Sequence, residues 1–203
     1  RIVVRWYLDL AHDGSISGKI KLLSLNGWNG VFFGNSTPGN VDLEKFLSEV
    51  TGSVISGDIS VKNVREGYSI EADIQLPQAI MNAGRALVQI PGIRIPQLKA
   101  LMEYSNELEF KFPFTVKEKF ELTYPENAEM LVLPAESRNS DGQVSINESL
   151  SVNSRKRIVR GDLTFIVKDQ ELGQAEIPSL RKKKKKWVLW SEKTLPFKFK
   201  ISK

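Results

Sequence analysis

Apolar and polar residues alternate with period two along most of this chain, the mark of strands that bury one face. Ile2, Val4, Trp6, Leu8 and Leu10 share a side. His12-Asp13-Gly14 then predicts a turn, and Ile16, Ile20 and Leu22 resume the pattern as the return strand of a hairpin. Leu43, Phe46, Leu47 and Val50 switch to the spacing i, i+3, i+4, i+7 and predict one helix over 41–51. Asn40 is read as its cap, Asp42 and Glu44 suit its positive end, and Gly52 stops it. Two strands are predicted over 55–64 and 68–76, joined by the tight turn Arg65-Glu66-Gly67, and a short one over 86–90.

Pro91, Gly92 and Pro96 punctuate the pattern and predict a boundary. Beyond them lies a long stripe of Phe110, Phe112, Phe114, Val116, Phe120, Leu122 and Tyr124 with Lys and Glu opposite. Asn139-Ser140-Asp141-Gly142 predicts a turn into Val144, Ile146, Leu150 and Val152, and strands follow near 157–160 and 163–167. Leu195, Phe197, Phe199 and Ile201 alternate with Lys198 and Lys200 at the end. The expected class is mainly β or α+β. A small α+β unit over 1–92 (strand pair, helix 41–51, strand pair) is followed over 93–203 by an antiparallel β-sandwich with a short helix near 178–191.

Hydrophobic residues at 41% and charged residues at 26% supply an ordinary core and surface. No apolar run is long enough for a transmembrane segment. The chain opens on Arg1, and 2–10 reads as a strand, not a leader, so the natural chain is expected to begin earlier. Cys is absent, which excludes disulfides, thiolate metal sites and a cysteine nucleophile from this stretch. The single histidine, His12, falls in a turn. Asp9, Asp13 and Gly14 look superficially like a calcium loop, but Ala11 and Ile20 stand where ligands are needed, and a hairpin turn accounts for the Asp-Gly pair. Glu71 and Asp73 alternate with apolar residues and are expected on a solvated strand face. No nucleophile elbow, phosphate loop or zinc-protease motif is present. Arg160-Gly161-Asp162 spells an adhesion tripeptide and reads as an ordinary turn between strands. Cofactors and metals are therefore not expected.

Net charge is +5, and six consecutive cations, Arg181, Lys182, Lys183, Lys184, Lys185 and Lys186, account for more than all of it. The basicity is one local feature, and nucleic acid is not an expected partner. Pro178 is placed to open a helix on which Leu180, Lys184, Trp187 and Trp190 share a face. Cations on every side of that helix require one or two to lay their methylenes across the core edge. The alternative is a grip on a polysaccharide or other polyanion, with exposed Trp28, Trp187 or Trp190 offering a stacking face beside the run.

The order of elements resembles the C-terminal region of bacterial multidomain proteins in which β-rich modules of unknown function follow a transglutaminase-like, papain-fold domain. "WYLDLAHDGSISGKIKL" is similar to the family's strand, Asp-Gly turn and Gly-containing strand. "FKFPFTVKEKFELTYPENAEMLVLPAES" resembles a strand, proline turn and "lpa" strand of the sandwich module, and "SLSVNSRKRIVRGDLTFIVKDQEL" its later strands. "IPSLRKKKKKWVLW" occupies the place of the short helix. The family's Arg-x-x-Pro signature is replaced near 106–110. The resemblance implies a non-catalytic accessory or structural region, neighbouring domains of the same polypeptide as partners, and a periplasmic or otherwise exported location. In such proteins the Cys-His-Asp machinery lies upstream, so no catalytic residue carries over.

Overall fold

In the computed structural model β1 (Ile2–Leu10) and β2 (Ile16–Leu25) form the first hairpin, in register from Leu10↔Ile16 to Ile2↔Ser24. The structure describes residues 1–33, 36–95, 108–109, 113–134, 138–139, 142–168, 171–172 and 175–200. Of the expected strand residues, Phe110, Phe112 and Ile201 lie outside these, as do Ser140 and Asp141 of an expected turn. At the tip of the first hairpin Gly14 takes φ +82°, and Asp13 Oδ1 accepts from the Ser15 amide at 2.9 Å. Glycine adopts that left-handed conformation without steric cost.

After β2 come α1 (Gly27–Phe33), a 3-10 turn (Pro38–Asn40) and α2 (Leu43–Thr51). The cap of α2 is Asp42, whose Oδ1 accepts from the Lys45 amide at 3.0 Å, and not Asn40, which ends the 3-10 turn. Gly52 closes α2 in the left-handed conformation, as expected. β3 (Val54–Val64) and β4 (Gly67–Leu76) then form the second hairpin. A small hairpin, β5 (Ile80–Asn82) and β6 (Arg85–Gln89), follows.

The second half contains β7 (Leu108–Glu109), β8 (Phe114–Thr123), β9 (Ala128–Met130) and β10 (Arg138–Asn139). Next are β11 (Val144–Asn153), β12 (Ile158–Val167), β13 (Glu171–Leu172), the long helix α3 (Ile177–Glu192) and β14 (Thr194–Phe199). Most of the described residues are in strands and few are in helices, so the fold is mainly β. The helix expected near 178–191 matches α3 to within a residue.

The two expected halves do not form separate sheets. Eight strands join in the order β10-β11-β12-β8-β1-β2-β4-β3, and the junction is a parallel pairing of β1 with β8, from Ile2↔Val116 to Asp9↔Thr123. Each half contributes a four-stranded antiparallel block, and joining them removes two open edges that would otherwise expose unpaired backbone groups. The smaller sheet, β5-β6-β14-β9, also draws on both halves. The predicted boundary fails for the same reason. Ile90, Ile93 and Ile95 are buried in the common core, and only Pro96 of the punctuating residues falls outside the described chain.

One face of the large sheet is buried from β4 across β2, β1, β8 and β12, while the edge strand β3 stays largely exposed, and α1, α2, α3 and the small sheet supply the residues that pack on it. Aromatic rings tie these layers together. Trp28 of α1 meets Phe114 edge-on at 5.6 Å, Phe114 meets Phe165 at 6.0 Å, and Phe165 stacks on Trp187 of α3 at 5.1 Å. Tyr124 reaches Phe197 of the small sheet at 5.2 Å.

Candidate functional site

The basic run lies on α3, and its position there decides its chemistry. Ile177, Leu180, Lys183, Trp187 and Trp190 are the buried residues of the helix, spaced three or four apart on one stripe. Lys183, not the expected Lys184, occupies the core position of the run. Its side chain is 1% exposed and its ammonium donates to the Val144 carbonyl at 2.5 Å. Ten residues further on, the closing residue Lys193 pairs with Glu148 at 2.5 Å. Ten helical residues advance about 15 Å. The four steps along the strand from Val144 to Glu148 advance about 14 Å. The second half of helix α3 therefore lies along β11, held near the helix middle by the Lys183 ammonium and just past its end by that of Lys193.

Arg181, Lys182 and Lys185 are exposed, and Lys184 and Lys186 are half-exposed. Arg181, Lys184 and Lys186 each have an interaction of their own in the fold. Trp28, Trp187 and Trp190 are buried, so none of the three offers a ring face to a sugar. The tryptophan half of the polyanion expectation is thereby removed. These rings are large apolar surfaces at inward positions, and burial is their most favourable use.

Glu118 is a residue the sequence pattern passed over. It stands at an inward position of β8 between Val116 and Phe120 and is 1% exposed. Its Oε1 accepts the Trp187 indole N–H at 2.7 Å, and its Oε2 accepts the Ile93 amide at 2.8 Å. Burial pushes its carboxyl up to about 7, against the downward pull of those two hydrogen bonds. The available signal was a single acid breaking an otherwise apolar row. Both oxygens are engaged and α3 covers the group, so this carboxylate ties three chain segments together. The nearby crevice beside Gly92, Arg94 and Ser191 holds about 50 Å³.

The opposite face of the large sheet is polar and open around Arg5, Tyr7 and their neighbours, although Val3, Ser69 and Ser145 toward one end of it are buried. Lys119 pairs with Asp162, Arg160 with Glu121 at 2.8 Å, Lys21 with Glu71 at 2.6 Å and Lys19 with Asp73 at 2.7 Å. Glu71 and Asp73 are thus on the solvated face, as the alternation predicted. Arg160-Gly161-Asp162 lies inside β12 and not in a turn: the two charges face outward into these pairs while Gly161 faces the core. Across this face runs a groove of about 390 Å³, lined in part by Arg5, Tyr7, Glu121, Ser149, Ser151 and Arg160. His12 is exposed in its turn, and among the described residues no group of three His, Asp or Glu is placed to hold a metal. None of the described helices is long and apolar enough to cross a membrane.

The fold and its surfaces define a mainly β protein with one heavily covered sheet face and one open, charge-laddered face. No family model, curated protein or solved structure matches the chain. No match links it to a transglutaminase-like neighbour.

Proposed function

We propose that this chain is a non-catalytic accessory module that packs against another domain of the same polypeptide through the outer face of its small sheet. The observation that carries this reading is an apolar row where a polar one is expected. Ile80 registers with Leu87, Leu87 with Pro196, and the Leu131 amide donates to the Pro196 carbonyl at 2.9 Å. Ile80 is 68% and Leu131 46% exposed. The outer face of an antiparallel sheet is normally polar, and a contiguous apolar row on it marks a contact surface.

The resemblance described above supports the same reading, naming a transglutaminase-like domain as the neighbour and an exported setting. The engagement of Glu118 in packing supports it too, since the one carboxyl among the described residues raised to about 7 has both oxygens taken up inside the core.

The test compares oxidative footprinting of Leu87 and Leu131 in the isolated chain and in the polypeptide with its natural flanking sequence. Protection in the longer polypeptide, lost in the Leu87→Lys, Leu131→Lys double variant, is expected. Equal labelling in both, or turnover of peptide or glutaminyl substrates by the isolated chain, overturns the proposal.

A further inference from the structure

Arg5 stands in a transverse row of the open sheet face with Lys119 on one side and Lys21 on the other, each directly in register with it. Like charges directly opposite one another destabilise a sheet. The outer two are answered, Lys119 by Asp162 and Lys21 by Glu71. The diagonal carboxylate Glu121 is taken by Arg160 at 2.8 Å. That leaves the exposed Arg5 guanidinium with no carboxylate partner among the described residues, at the middle of three adjacent cations and on the wall of the groove. A local rule broken without internal compensation is characteristic of a functional position. The position is open to an anion from outside the chain.

The surroundings specify what carries that anion. Tyr7 lies two residues along β1 on the same face and is 48% exposed, so its ring is offered to solvent at the groove. Ser149 and Ser151 bring hydroxyls to the far wall. A peptide adding to a sheet needs a free strand edge, and β1 is central, paired on both sides. A peptide bound through side-chain anchors needs deep apolar pockets, whereas Trp6 and Phe120 are buried beneath this groove and the side chains that rise from it carry charges, hydroxyls and one aromatic ring. A saccharide uses what is present: ring C–H groups against an aromatic face, hydroxyls to serines and ion-paired side chains, and a carboxylate to a guanidinium fork.

We propose that this groove binds an acidic saccharide, with Arg5 holding the sugar carboxylate and Tyr7 stacking on the ring. The proposal goes beyond the accessory role and uses the opposite side of the molecule from the apolar row.

The test is calorimetric titration of the whole chain with hexagalacturonate, maltohexaose and polyglutamate at low and high salt. Salt-sensitive binding of hexagalacturonate alone is expected. Loss of a charge-assisted, bidentate contact in Arg5→Gln should weaken it by about tenfold or more. Tyr7→Ala should weaken it also, while Lys182→Gln with Lys185→Gln leaves it unchanged. Melting curves confirm that these surface variants fold. Failure of hexagalacturonate to bind at millimolar concentration overturns the proposal, as does binding indifferent to Arg5→Gln. Equal binding of maltohexaose overturns the role of the carboxylate, and equal Arg5-dependent binding of polyglutamate overturns the saccharide.

Discussion

Glu118 and Glu148 both register against Leu163, one from each side, and so stand in a single transverse row on the buried face of the large sheet. The fold answers these two acids differently. Glu148 receives the ammonium of Lys193, whereas Glu118 receives only the neutral N–H groups of Trp187 and Ile93. A buried carboxylate with a cation beside it retains its charge at less cost than one held by neutral donors alone.

That difference predicts a pH dependence. The folded Glu118 carboxyl is raised to about 7 from an ordinary 4.5. Between those values the folded chain holds a proton that the unfolded chain has released, so this group's contribution to stability falls as pH rises through the window. Above it, burial of the ionised form costs about 3 kcal/mol. Urea midpoints should therefore drop from pH 5 to pH 8 in the native chain, and Glu118→Gln should flatten that component. Glutamine also turns an N–H₂ toward one of the two donors, so the variant should be the less stable of the two at pH 5. An unchanged slope in Glu118→Gln rules out this carboxyl as the source.

The lysine run divides into one structural residue and several surface ones. Lys183→Ala removes a buried stem and leaves the Val144 carbonyl without this donor, a loss of about 2–3 kcal/mol. Lys183→Met keeps most of the stem and should recover part of it. Lys182→Ala and Lys185→Ala should stay within about 0.5 kcal/mol of the native chain. Equal effects at all three positions in chemical denaturation would show that the run has no inward member.

Gly161 is packed beneath an aromatic ring. A Cβ added there would lie 2.1 Å from Phe120, whose ring sits 6.1 Å from that of Trp190. Gly161→Ala should cost about 1–3 kcal/mol by overpacking. Combined with Phe120→Leu, the two losses should sum to less than additivity, because the smaller side chain vacates the contested space. Strict additivity in the double-mutant cycle would place the clash elsewhere.

Much of the local architecture was legible in the chain. Period-two alternation placed β1, β2 and β4 and their inward faces, because a pleated strand with one dry side has few other ways to distribute its residues. The i, i+3, i+4 pattern placed α2, with Gly52 as its stop. The requirement that some cation of the run cross the core edge was also readable, though Lys184 was chosen where Lys183 serves. Helix α1 was not anticipated, since seven residues carry too little periodicity to separate a helix from a loop.

The amino-acid sequence by itself determined which side of each strand is dry and where the chain turns, because those depend on near neighbours and on the side-chain period. The tertiary structure alone decided which strand lies beside which. Alternation says nothing about the partner, and β1 meets β8 more than a hundred residues away. That one pairing merged two expected units, drew the supposed boundary at 92–93 into the core, and brought Arg5 between Lys119 and Lys21. Backbone edges attract any compatible edge, and only the assembled sheet chooses among them.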